Sequence, residues 1–197
     1  MNYGEGMDGG RCNKKHIILV HGACHGAWCW HKVTAQLRSA GYQVMVPDLA
    51  TSDVDERRFQ DLRTFIHYSQ PLLDRLTRLP AGERVILVGH NLGGLNIALA
   101  MDRFPEKIVA AVFVAALMPD SVNPPSYVVD KLKKETNMIF WSDTQFGLVG
   151  DKDKGTYAAH PSPSEDLALA RTLMRPSSLL LEDLASMPVG EGGARKR

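Results

Sequence analysis

Four short apolar runs stand out in the chain, and none of them alternates between hydrophobic and polar positions. In chain order they are His16 to Val20, Gln43 to Val46, Val85 to Val88 and Ile108 to Ala115. Runs of this kind, rich in β-branched residues, predict strands that are buried on both faces of a parallel sheet.

The segments between these runs carry apolar residues at helical spacing. We predict helices over 30–40, 62–76 and 95–103, with Gly41 ending the first and Pro71 starting a new turn or kink in the second. Because strands alternate with helices, the right-handed crossover rule predicts a doubly wound, mostly parallel α/β sheet.

Prolines interrupt the pattern beyond Met118. Two helical stretches remain, 127–134 and 164–174, and we expect them to form a helical cap of roughly residues 119–176 over the sheet. One more helical stretch spans 177–187. The predicted organisation is a disordered tail over 1–15, a single α/β domain over 16–187 and a second disordered tail over 188–197.

Composition and charge exclude several classes of partner. Hydrophobic residues make up 44% of the 197 residues and the formal net charge is +1, so neither nucleic acid nor an anionic membrane is expected as a partner. No apolar run approaches the ~20 residues of a membrane span, and the first fifteen residues lack the apolar core of a signal peptide. We therefore expect a cytoplasmic protein.

The three cysteines, Cys12, Cys24 and Cys29, show no metal-ligand spacing with the histidines. Their odd number and spacing predict reduced thiols, with neither disulfides nor a metal site. Two interpretations of Cys24 stay open, a reactive nucleophile and a buried, inert thiol.

A strand, a sharp turn and a helix follow one another between Arg84 and Arg103, and the turn over 89–94 reads Gly-His-Asn-Leu-Gly-Gly. This is the pattern of a nucleophile elbow, in which the middle residue of G-x-S-x-G carries the attacking side chain. Here that residue is Asn91, whose carboxamide has no ionisable proton. Asparagine tolerates the positive φ of this position better than most residues. The sequence thus predicts that the turn is kept and the reaction is lost.

A glycine-containing loop follows the first predicted strand. Gly22 lets the backbone turn tightly and direct N–H groups into a cleft at the carboxyl end of the sheet. The backbone N–H groups of Ala23 and Leu92 are the predicted pair of oxyanion donors. His21 and His25 lie near this cleft, and the sequence leaves open whether they bind a carboxylate or stabilise the turn.

A catalytic triad would need an acid and a histidine after Asn91 in the chain. His160 is the only histidine there, and Asp120 follows the fourth predicted strand. Two alternatives remain, a pairing of Asp120 with His160 and two separate, solvated loop residues. His90 is expected to be a packed structural residue, because its side chain must point away from that of its neighbour.

Several separate segments resemble the plant methylesterase family, in order along the chain. They are 19–28, 85–96, 113–119 and 125–128, and the resemblance covers roughly residues 15–187. That family includes the salicylic-acid-binding esterase and is close to the α/β-hydrolase hydroxynitrile lyases. The resemblance implies an α/β-hydrolase fold with a helical cap. It also implies hydrolysis of the methyl esters of small plant hormones (salicylate, jasmonate, indole acetate) without metal or organic cofactor.

Three departures limit what this resemblance implies. Asn91 stands at the serine position, the cap is expected to be shorter between Phe146 and Ser164, and no residue matches the family's catalytic Asp and His. Because those two residues belong to a region with about two further strands, we expect the last strands of the sheet to be missing. Strand 108–114 would then be an exposed edge that favours self-association.

Four interpretations of function are compatible with these features. The first is a methylesterase-family protein that is inactive or severely impaired toward small hormone esters. The second is a non-catalytic binder of small carboxylates such as salicylate in the pocket under the cap. The others are deamidation of Asn91 to an aspartate nucleophile, and a truncated or degenerate form that does not fold stably.

Overall fold

Four parallel strands form the main sheet of the computed structural model, which describes residues 15–53, 55–135, 144–148, 154–158, 164–177 and 179–188. The strands are β1 (His16–Val20), β2 (Gln43–Met45), β3 (Val85–Asn91) and β4 (Ile108–Ala116), and their spatial order is β2-β1-β3-β4. All three pairings are parallel, as predicted. Apart from Lys15 and Pro188, the predicted tails lie outside the described residues, and so does His160.

Three helices connect the strands. They are α1 (His31–Ser39), α2 (Phe65–Thr77) and α3 (Gly93–Arg103), with short 3-10 turns at Ala27–Trp30, Phe59–Asp61 and Pro105–Lys107. Pro71 lies inside α2 and does not start a separate element. The side chains of Leu72, Leu73 and Leu76 are buried on this helix, and their burial offsets the hydrogen bond that proline cannot donate.

Alternate residues of β1 enter two different hydrophobic clusters. Ile18 and Val20 pack with residues of α2 and α3, whereas Ile17 and Leu19 pack with Trp30 and Val44. Both faces of the strand are therefore buried, which explains why its sequence does not alternate. The two clusters place α1 on one side of the sheet and α2 and α3 on the other.

The segment after the sheet contains more than helices. Beyond the main sheet lie α4 (Ser126–Glu135), α5 (Ser164–Leu173) and α6 (Leu181–Ser186), near the helical stretches that the sequence predicts. Between α4 and α5, however, β5 (Thr144–Leu148) and β6 (Lys154–Ala158) form an antiparallel pair. The sequence predicted the helices of this segment but did not predict the β5–β6 pair. Threonine and aromatic residues in these two segments favour a strand, but each segment is too short to show clear alternation.

One face of β4 is exposed. Val112 and Val114 are each 44% exposed, and Ala110 on the same face is also exposed, whereas Ala111 and Phe113 pack against the core. Among the described strands β4 pairs only with β3. We call Ala110, Val112 and Val114 the β4 face. Of the helices that the structure describes, none is both long and apolar enough to cross a membrane.

Candidate functional site

The elbow turn joins β3 to α3 at the carboxyl end of the sheet. Asn91 is the last residue of β3 and has φ +54°, so the residue that the sequence places at the centre of the elbow has the expected left-handed backbone. α3 starts two residues later, at Gly93. A Cβ atom on Gly93 would lie 2.6 Å from the Val20 carbonyl oxygen, so only glycine lets α3 approach β1 this closely.

The carboxamide oxygen of Asn91 lies between two backbone N–H groups. Leu92 N donates to Asn91 Oδ1 over 2.7 Å, and Ala23 N donates to the same oxygen over 3.4 Å. These are the two groups that the sequence identifies as oxyanion donors, and the fold brings them to one oxygen atom. The occupant of that position is the chain's own side chain.

Gly22 leaves room for the Asn91 side chain. A Cβ atom on Gly22 would lie 2.6 Å from Asn91 Cβ, 3.0 Å from Asn91 Oδ1 and 3.1 Å from Asn91 Cγ. Carbon atoms cannot approach to 2.6 Å without displacing one another. The absence of a side chain at position 22 is therefore a condition for the position that Asn91 adopts.

His21 supports the turn through both of its ring nitrogens. Nδ1 lies 2.9 Å from the carbonyl oxygen of Gly22, and Nε2 accepts from the backbone N–H of Leu49 over 3.0 Å. Since Nε2 is the acceptor, the neutral ring carries its proton on Nδ1 and donates it to Gly22. Burial, helped by the neighbouring His25 and His90, lowers the pKa of His21 to about 4. Of the two roles that the sequence leaves open, this geometry favours turn stabilisation.

The other two histidines near the elbow contact aromatic rings. His25 stacks on Trp28 with the ring centroids 5.2 Å apart, and its Nδ1 lies 2.8 Å from the Ala23 carbonyl oxygen. His90 meets Trp30 edge to face at 6.3 Å. The contact of His90 with Trp30 agrees with the prediction of a packed residue.

Two residues that sequence reasoning missed hold the loop over 22–27. Asp48 accepts from the backbone N–H of Ala27 over 2.6 Å. The backbone N–H of Arg175 donates to the Cys24 carbonyl oxygen over 3.2 Å, and its guanidinium Nη1 donates to the carbonyl oxygens of Asp53 and Asp55. No local pattern could have identified Arg175, because its partners lie more than a hundred residues away in the chain.

Of the two cysteines near the cleft, Cys24 is buried and Cys29 is partly buried. The burial of Cys24 favours the interpretation of an inert thiol. Burial raises the pKa of Cys29 to about 12, because the thiolate would lose its hydration. At neutral pH Cys29 is therefore a protonated thiol.

Asp120 makes its hydrogen bonds within its own loop. Its carboxylate accepts from the backbone N–H groups of Val122 and Asn123 and from the Asn123 side chain, and the bonds to Asn123 hold its pKa below the usual range. The alternative that pairs Asp120 with His160 stays a prediction, because His160 lies outside the described residues. Within the described ranges no three His, Cys, Asp or Glu side chains cluster as metal ligands would.

Residues 17–190 match the model of the alpha/beta hydrolase family. The chain is 46% identical over 184 residues to methylesterase 3 of Arabidopsis thaliana and 47% identical over 184 residues to salicylic acid-binding protein 2 of Nicotiana tabacum. In both cases 87% of this chain covers 70% of the relative.

Solved structures show the same relationship. The crystal structure of polyneuridine aldehyde esterase superposes with a TM-score of 0.84 at 37% identity, over 89% of this chain and 74% of that one. A variant of tomato methylketone synthase I in complex with β-ketoheptanoate gives 0.80 at 38% identity, over 92% of this chain and 74% of that one. With its parallel sheet, its elbow and these relatives, the chain belongs to the α/β-hydrolase family and, within it, to the plant methylesterases.

Proposed function

We propose that this protein binds a small carboxylate or its methyl ester at the elbow without hydrolysing it. The observation that carries this proposal is the position of Asn91: it occupies the nucleophile position, and its own Oδ1 lies between the two oxyanion donors.

Loss of hydrolysis follows from the chemistry of that side chain. Acyl transfer needs a nucleophile that a base can deprotonate, and a carboxamide offers no such proton at neutral pH. His21 does not act as the base, because both of its ring nitrogens are bonded to backbone groups and the ring is fully buried. Loss of the nucleophile lowers the rate by several orders of magnitude.

The relatives support a small-carboxylate ligand. One of them is called salicylic acid-binding protein 2, and tomato methylketone synthase I was crystallised with β-ketoheptanoate. Both ligands are small carboxylic acids. On the resemblance to methylesterases we extend the ligand class to salicylate, jasmonate and indole acetate and to their methyl esters.

Two measurements on the purified protein test this proposal. Chromatography of a mixture with methyl salicylate is expected to show no release of salicylate above a protein-free control. Turnover near that of a methylesterase with serine at this position would contradict the loss of hydrolysis. Calorimetry with salicylate at millimolar concentration is expected to show binding heat, and the absence of heat would exclude the binding function.

A further inference from the structure

The two side-chain hydrogen bonds that the described residues make with Asn91 end on its carboxamide oxygen and leave its NH2 group as the second polar group of the side chain. Asn91 is an exposed residue, although its Cβ, Cγ and Oδ1 atoms lie against Gly22 and its Oδ1 accepts two hydrogen bonds. Its backbone carbonyl oxygen accepts from the N–H of Leu117 over 2.9 Å. Because both of these bonds end on Oδ1 and the residue is exposed, we infer that Nδ2, with its two hydrogens, is the group that a ligand can reach.

Hydrogen bonding at Oδ1 makes Nδ2 a stronger donor. Two N–H groups that donate to an amide oxygen draw electron density away from the amide nitrogen, and hydrogen bonds in such a chain strengthen one another. The first turn of α3, which starts at Gly93, adds the positive end of an eleven-residue helix. Both effects make the hydrogens of the NH2 group more positive.

We propose that the Asn91 NH2 group is the ligand contact of this site and that it selects the free acid over the methyl ester. An NH2 group only donates, so the ligand must supply acceptor oxygens. A carboxylate accepts charge-assisted hydrogen bonds, which are roughly twice as strong as those of a neutral ester carbonyl. This inference rests on the binding function proposed above and names the atom and the ligand form.

The matched variant is N91D, because aspartate has the shape of asparagine. One carboxylate oxygen still accepts from Ala23 N and Leu92 N, while the other replaces the NH2 group with an acceptor of negative charge. Calorimetry is expected to show that salicylate binds the wild-type protein at least about 10-fold more tightly than methyl salicylate. N91D is expected to weaken salicylate binding at least about 10-fold, with a melting temperature no lower than that of the wild type.

A second measurement does not depend on the stability of N91D. In nitrogen–proton correlation spectra of the wild-type protein, a titration with salicylate should shift the side-chain NH2 resonances of Asn91. The backbone resonances of Ala23 and Leu92 should move less, because their N–H groups stay on Oδ1.

Three results would overturn this inference while leaving the binding function intact. The first is equal affinity of N91D and the wild type for salicylate. The second is a ligand-induced shift of the backbone resonances of Ala23 and Leu92 without a shift of the Asn91 NH2 resonances. The third is equal affinity of the wild type for salicylate and methyl salicylate. Absence of heat with the wild-type protein would refute the binding function itself. Binding of salicylate by N91A in that case would show that the Asn91 side chain blocks the site.

Discussion

Gly22 and Asn91 are packed so closely that a change at one position depends on the residue at the other. The three nearest atoms to a Cβ placed on Gly22 all belong to Asn91. We predict that G22A lowers the free energy of unfolding by about 1–3 kcal/mol, the usual cost of overpacking. In an N91G background the same change should cost less than about 1 kcal/mol, because the clashing side chain is gone.

Urea denaturation of the wild-type protein, the two single variants and the double variant measures this coupling. N91G is a suitable background, since glycine adopts the positive φ of position 91 without strain. Equal costs of G22A in both backgrounds would show that the contact has no energetic consequence.

His21 makes the free energy of unfolding depend on pH. Its pKa is about 4 in the folded protein and near 6.5 in an unfolded chain, so the unfolded state binds more protons between these values. Stability from the neutral ring is therefore complete above about pH 6.5 and is lost as the pH falls toward 4. Between pH 7.5 and pH 5 this group should lower the unfolding free energy by ~2 kcal/mol.

The control for this prediction is H21Q, which cannot titrate. It should be less stable at pH 7.5 by about 1–3 kcal/mol, because backbone groups lose their ring partners. Its unfolding free energy should also change less than that of the wild type between pH 7.5 and pH 5. The same pH dependence in both proteins would rule out His21 as the cause.

The sequence predicted that Asn91, Ala23 and Leu92 surround the oxyanion position. The fold brings these three residues together. The sequence did not predict that the Asn91 amide oxygen fills that position. The reason is physical: a side-chain rotamer depends on neighbours in space, here on the empty volume at Gly22, and not on the local motif.

At the level of elements, α6 caps α2. Asp183 Oδ2 accepts from the backbone N–H of Phe65 over 2.7 Å, while Thr64 Oγ1 accepts from the N–H of His67 over 3.2 Å. Two of the four N–H groups that a helix leaves unpaired at its start are therefore satisfied by these side chains.

We predict that D183A lowers the unfolding free energy by about 1–2 kcal/mol, the usual cost of losing a capping acceptor. D183N keeps an acceptor oxygen and loses only the charge beside the helix dipole, so it should cost about 0.3–1 kcal/mol. Chemical denaturation of both variants separates the two contributions. An equal loss in D183A and D183N would mean that the charge, and not the hydrogen bond, stabilises α2.

The elements differ in how far the sequence predicted them. β1 and β3 were predicted because burial on both faces leaves an apolar run, whereas β5 and β6 were missed because five residues each give too little pattern. Pro71 suggested a break, but the burial of leucines on both sides of it holds α2 together. Tertiary packing outweighed the local preference there.

At the scale of the whole molecule, the β4 face leaves apolar side chains of the sheet exposed. Val112 and Val114 expose 44% of their surface on the last described strand of the sheet. The sequence predicted the four strands but not their spatial order, and among the described strands β4 pairs only with β3. The strength of any self-association did not follow from the sequence, because it depends on how well two such faces fit one another.

We predict that the protein self-associates through the β4 face and that V112K shifts it toward the monomer. A lysine at position 112 would place a charge in this apolar face and oppose its burial against a second copy of the chain. Sedimentation velocity at several concentrations measures the shift, and V33K on α1, where Val33 is 38% exposed, is the matched control. A wild-type protein that is monomeric at every concentration, or equal effects of V112K and V33K, would contradict this prediction.

The hydrogen bonds of Arg175 affect which part of the molecule unfolds first in acid. Arg175 holds the segment after α5 against two loops by bonds to the backbone carbonyl oxygens of Cys24, Asp53 and Asp55. A backbone carbonyl has no proton to gain in this range, so protonation of the acceptors does not break these bonds. The ring of His21, by contrast, becomes charged near pH 4. Acid-induced opening should therefore start beneath the elbow, while the attachment through Arg175 is still in place.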